Sequence, residues 1–74
     1  MAEHYATDAL TARELEVLLE IAAGNANKIV AAHLSIAEET VKGHVKAILA
    51  KLSANDRTQA VTIAVKRGII SLEV

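Results

Sequence analysis

The sequence predicts an all-α fold, a compact four-helix bundle over residues 10–72. Three observations predict it. Apolar residues recur at helical spacing in four blocks, about residues 12–23, 27–34, 38–52 and 57–67. The composition is rich in Ala, Val, Ile and Leu, 53% hydrophobic, with 1% aromatics and no Pro, which suits small side chains packed between helices. Two of the three glycines, Gly24 and Gly68, each follow a helical block by one position, where a left-handed cap is wanted.

A chain of 74 residues makes one domain, near the lower limit for folding unaided. There is no Cys, so neither disulfides nor thiolate metal sites form. No apolar run approaches the ~20 residues that span a bilayer, and residues 1–10 carry no signal-peptide pattern. A cytoplasmic location fits these features. Residues 1–9 show no period and read as a flexible tail or the end of a linker.

The first block opens on Thr11-Ala12-Arg13-Glu14, a capping box in which Thr11 caps the first turn and Glu14 reaches back to its N–H. Leu10 can staple against Leu15. Leu15, Leu18, Leu19 and Ala22 follow at helical spacing, and Glu14, Glu16 and Glu20 are expected to be solvated. In the second block Ile29, Val30 and Leu34 face inward, with Asn25 or Asn27 as the cap. Ser35-Ile36-Ala37 breaks the pattern before Glu38 starts the third block. There Val41, Val45, Ile48, Leu49 and Leu52 form one apolar stripe. Lys42, Gly43 and Lys46 lie on the outward side. A helix, a short break and a second helix with outward bases is the outline of a helix-turn-helix. Asp56-Arg57-Thr58-Gln59 caps the fourth block, whose Ala60, Val61 and Ala64 face the core while Thr62 and Val65 lie off that stripe. Ile69 and Ile70 pack back as a plug.

Glycine in a helix interior costs roughly 1 kcal/mol against Ala. Gly43 between two lysines makes a small, basic face able to approach another surface closely, and the DNA major groove admits a helix. The net charge of −1 argues against a nucleic-acid partner, but its distribution argues for one. Residues 1–27 hold one base and five acids, whereas residues 28–67 hold seven bases and three acids. Glu38 and Glu39 favour the helix N-terminus through its dipole, yet repel phosphate.

These residues carry a resemblance. LTARELEVL at 10–18, AxG at 22–24, NK at 27–28, TVKGHVKAILAKL at 40–52, NDRTQAV at 55–61 and RGII at 67–70 stand in the order and spacing of a known family. The chain resembles the LuxR-type helix-turn-helix domain, the C-terminal effector of LuxR, FixJ and NarL-like bacterial regulators. The resemblance implies a four-helix domain that binds double-stranded DNA sequence-specifically to regulate bacterial transcription, as the output domain of a two-component response regulator or similar protein. It implies that Lys42, Gly43 and Lys46 meet the major groove and that Lys28 and Thr40 touch the backbone, with Asn27 and His44 as further backbone candidates. It implies a homodimer through the fourth helix, with Val61, Thr62 and Val65 as contact candidates.

The chain departs from the family pattern at Ala26 and Ile29, where a Ser/Thr capping box with Glu is frequent, at Ala37, where Ser is usual, and at Ser53, where Gly often ends the third helix. Losing a polar cap typically costs ~1 kcal/mol. The departures imply a marginally stable domain with frayed turns flanking the third helix.

His4, His33 and His44 show no metal-ligand spacing, and Ser35, Ser53 and Ser71 lack a nearby base. No enzyme, metal or cofactor is expected. The rival reading is a helix-turn-helix used as a protein-interaction module, docking RNA polymerase or another regulator, which the acidic first helix permits.

Overall fold

The computed structural model describes residues 9–72. It contains α1 (Ala12–Ala22), α2 (Asn27–Leu34), α3 (Glu38–Leu52) and α4 (Arg57–Lys66), and no strand among the described residues. α1 and α4 stop one residue short of their expected ends, because Ala23 and Arg67 serve as their C-caps. All but the last residue of the expected tail at 1–9 lies outside the described residues.

All four helices end in the same hydrogen-bond pattern. The residue in the left-handed region bonds back three positions, and the next residue bonds back five. Asn25 N–H donates to Glu20 O at 3.1 Å, Ile36 to Ala31 at 3.0 Å, Ala54 to Leu49 at 2.9 Å and Ile69 to Ala64 at 2.8 Å. This is the Schellman arrangement, which satisfies orphan carbonyls at the helix end. α1 and α4 place Gly24 (φ 90°) and Gly68 (φ 74°) at the left-handed position, whereas α2 and α3 place Ser35 (φ 58°) and Ser53 (φ 55°) there. The helix starts divide the same way. Thr11 and Asp56 cap α1 and α4 through their side chains, but Ala26 and Ala37 give α2 and α3 no side-chain cap. Neither Asn25 nor Asn27 caps α2, a correction to the sequence reading. Asn25 bonds Glu20 instead, and Asn27 falls at the first helical position, past the cap.

α3 packs against α1, α2 and α4 and so forms the centre of the bundle. Its Val41, Ile48 and Leu52 are buried, with Val45 and Leu49 packed at the core's edge. Around them stand Val17, Leu18 and Ile21 of α1, Val30 and Ala31 of α2, and Ala60 and Ala64 of α4. Because α4 contributes only alanines to the fully buried set, its backbone can approach closely. Ile70 is buried and Ile69 half-buried, the plug that the sequence predicts.

Three burial assignments need correction, two of them inward. Leu19 is 46% exposed and Ile29 43% exposed. α1 contacts both α3 and α4, which turns its inner face towards Val17 and Ile21, each two steps of about 100° from Leu19 and so nearly opposite it. Ile29 sits one step outside the Val30–Ala31 face of α2. The third correction is Glu14, which is buried rather than solvated.

Left-handed backbone costs a non-glycine residue roughly 1–2 kcal/mol, offset in part by the greater unfolded-state freedom of Gly. Ser35→Gly and Ser53→Gly are each expected to raise stability by about 0.5–1 kcal/mol. Urea denaturation midpoints at constant slope will show it; a midpoint that stays or falls contradicts the account.

Candidate nucleic-acid interface

The core stripe of α3 dictates what lies opposite it. At 100° per residue, the side directed away from Val41, Ile48 and Leu52 carries Lys42, Gly43 and Lys46, all exposed. The structure thus brings the three predicted groove residues onto one ridge. A Cβ added at Gly43 meets nothing within 4 Å. The protein's own packing therefore does not require glycine here. Thr40 (exposed) and His44 (half-buried) stand one turn apart on the flank of that ridge.

The ridge is cationic but not uniformly free. Lys42 Nζ lies 3.1 Å from Glu39 Oε1, with side-chain exposures of 61% and 84%. Pairs this exposed contribute only about 0–1 kcal/mol, so Lys42 can exchange its partner at little cost. Lys46 is exposed, and among the described residues it has no ion-pair partner; the same holds for Lys28 at the start of α2. Asn27 is half-buried, and its Oδ1 accepts from Arg57 Nη2 at 2.7 Å, a bridge from α4 to α2. Val61, Thr62 and Val65 lie on α4, apart from this ridge. Val61 is half-buried against the core, Thr62 is exposed with its hydroxyl donating to Thr58 O at 3.2 Å, and Val65 is 37% exposed.

Two cations of the basic half serve the fold instead of the surface. One is Arg57. The other is Lys51, whose Nζ donates to Glu14 Oε1 at 2.7 Å. The same oxygen accepts from Thr11 N–H at 2.9 Å, while Glu14 N–H donates to Thr11 Oγ1 at 3.1 Å. The predicted capping box is present, and it also anchors the C-terminal end of α3 to the start of α1. Burial pushes the Glu14 carboxyl up. The Lys51 ammonium and the Thr11 donors outweigh burial and hold it below the ordinary carboxylate range. No local signal links positions 37 apart, so sequence reading missed this bond.

Glu20 is likewise not simply solvated. Its Oε1 accepts from His33 Nδ1 and Asn25 Nδ2, both at 2.8 Å, and those bonds lower its pKa. Only Glu16 of the three α1 carboxylates is exposed as expected, paired with Arg13 at 3.1 Å.

α2, a break at residues 35–37 and a longer α3 with an outward basic ridge define a helix-turn-helix domain. The model of the family described as bacterial regulatory proteins, luxR family, matches residues 8–64. The chain is 60% identical over 60 residues to the uncharacterized transcriptional regulatory protein YhcZ of Bacillus subtilis, covering 81% of this chain and 28% of that protein. It is 49% identical over 61 residues to the response regulator VraR of Staphylococcus aureus, covering 82% and 29%. A crystal structure of the response regulator ChrA, from a heme-sensing two-component system, superimposes with a TM-score of 0.81 at 44% identity, covering 84% of this chain and 31% of that one. The chain belongs to the luxR family of bacterial regulatory proteins. It spans under a third of the length of these relatives. No helix among the described residues is long and apolar enough to cross a membrane.

Because the folded pKa of Glu14 is depressed, its contribution to stability is complete above the ordinary glutamate value of about 4.3 and is lost as pH falls through the lower folded value. Glu14→Gln is expected to cost about 1–2 kcal/mol at pH 7, as loss of a cap with a charged partner does. It should also flatten the stability profile below pH ~5, leaving the acid slope of Glu20, whose pKa is lowered too. Urea melts from pH 3 to 7 test both; an unchanged acid slope rules the bond out as a stabilising one.

Proposed function

We propose that this domain binds double-stranded DNA sequence-specifically, as the output module of a bacterial transcription regulator of the response-regulator kind, acting in the cytoplasm. The observation that carries the proposal is the outward ridge of α3. Two exposed lysines flank a glycine that internal packing does not demand, on a helix whose other side is locked into the core. A residue that weakens a helix by roughly 1 kcal/mol without a structural return is accounted for by a surface that comes close from outside.

In the proposed complex α3 enters the major groove. Lys42 and Lys46 donate to base edges, with guanine O6 and N7 the fitting acceptors. Gly43 admits close approach. Lys28, Thr40, Asn27 and His44 lie along the sugar–phosphate rails, joined by helix-end amides; such contacts set position rather than sequence. Asn27 serves with its amide nitrogen, since Arg57 occupies its oxygen. A second copy docks through α4, with Thr62 and Val65 outermost and Val61 at the edge. Two protomers then meet half-sites about one helical turn, ~34 Å, apart.

Lys46→Ala is expected to weaken binding to the preferred site by about 1–3 kcal/mol and to spare binding to unrelated duplex. Lys28→Ala should weaken both alike and reduce the slope of log K against log[salt] by ~1. Fluorescence anisotropy across a salt series separates these. A wild-type affinity insensitive to salt would favour a protein partner in place of DNA.

Gly43→Ala provides an orthogonal check. It should stabilise the free domain by about 1 kcal/mol while weakening duplex binding. A variant that is both more stable and equally good at binding would remove close approach from the account.

A further inference from the structure

The centre of the α3 ridge is an acid. Counting at 100° per residue, Glu39 falls about 20° from Lys46, about 40° from Gly43 and about 60° from Lys42. Its side chain is 84% exposed, and its carboxylate lies 3.1 Å from the Lys42 ammonium. Glu39 provides no cap, since the N-cap of α3 is Ala37 without a side-chain bond. Glu38, beside it, already supplies a negative charge to the first turn. A carboxylate on a face turned towards a polyanion weakens general affinity, so its place on this ridge calls for a donor to accept from.

We propose that Glu39 and Lys42 act together as a specificity-determining pair that reads one G·C base pair in each half-site. This rests on the reading of α3 as the groove helix. The major-groove edge of G·C presents guanine N7 and O6 as adjacent acceptors, followed by the cytosine N4 amino donor. A neighbouring ammonium and carboxylate present the complementary order. Lys42 donates to guanine, and Glu39 accepts from cytosine. In A·T the amino group stands between two acceptors, adenine N7 and thymine O4. A carboxylate bonded to that amino group therefore faces the thymine oxygen. The contact between Glu39 and Lys42 shows that the two heads reach one another, and its high exposure lets both turn outward.

Sites selected from random duplexes by the 74-residue chain, by Glu39→Ala and by Glu39→Gln test the pair. Affinities are then measured on the selected site with that position set to each of the four base pairs, and on unrelated duplex. Wild type should prefer G·C at one position per half-site by about fivefold or more. Glu39→Ala should lose that preference while keeping the others, and should bind unrelated duplex at least as tightly. Glu39→Gln, whose amide oxygen still accepts, should retain part of it. Thermal melting should be little changed in both variants, because the side chain is exposed. Identical selection by wild type and Glu39→Ala overturns the pair as a reader. An A·T preference that depends on Glu39 overturns the assignment to G·C. A wild-type chain that selects no sequence and binds duplex without salt dependence overturns the groove reading as well, and so distinguishes the two failures.

Discussion

Every other feature of the bundle depends on the inner stripe of α3. Val41, Ile48 and Leu52 are buried against three helices at once. Each such side chain contributes roughly 1.5–3 kcal/mol by leaving water. Because side chains on a helix are fixed at 100° intervals, burying that stripe also fixes which residues point away from it. The ridge of Glu39, Lys42, Gly43 and Lys46 is therefore mounted by the core. A helix that must present side chains to another surface gains precision when its opposite face cannot turn.

The same helix is held at its far end by a bond of a different kind. Lys51 reaches the capping box of α1, so one carboxylate closes a helix start and restrains a helix end together. The Arg57–Asn27 bridge does the corresponding service between α4 and α2. In a core without aromatics among the described residues, where α4 contributes only Ala60 and Ala64 to the fully buried set, such bridges add orientation that apolar contact alone leaves loose. They also explain why a domain with seven bases in residues 28–67 presents fewer to solvent than the count suggests.

Helical spacing and punctuation were enough to read the four elements. The stripe of α3, the Thr11 capping box and the glycines after α1 and α4 are local signals, and each has its counterpart in the structure. The grouping of Lys42, Gly43 and Lys46 was legible for the same reason. What was not legible depends on neighbours distant in sequence. Leu19 and Ile29 look apolar and correctly spaced, yet the packing of α1 and α2 turns Val17, Ile21 and Val30 inward ahead of them. Glu14 reads as a surface acid until Lys51, 37 positions on, is placed beside it. Ser53 was legible as standing where the family often has glycine, but Ser35 was hidden, because only the repeated end pattern of all four helices shows that it does the same work.

The unfavourable local choices concentrate around α3. Its start lacks a side-chain cap, its end bears a serine in a conformation glycine favours, and its middle carries a glycine that internal contacts do not need. Each lowers helix stability by about 1 kcal/mol. Local rules are broken most often where a surface must meet something else. For the two ends, helix-flanking turns suffice as the reason. For Gly43 the isolated domain supplies none, and for Glu39 the only partner among the described residues is Lys42, one turn on. An acid set among bases on an otherwise acidic molecule reduces indiscriminate attraction to phosphate, and its own carboxylate remains available to a base-edge donor. The interior of α3 thus specifies where the ridge points, and in the proposed complex the conflict of charge upon it specifies what that ridge can tell apart.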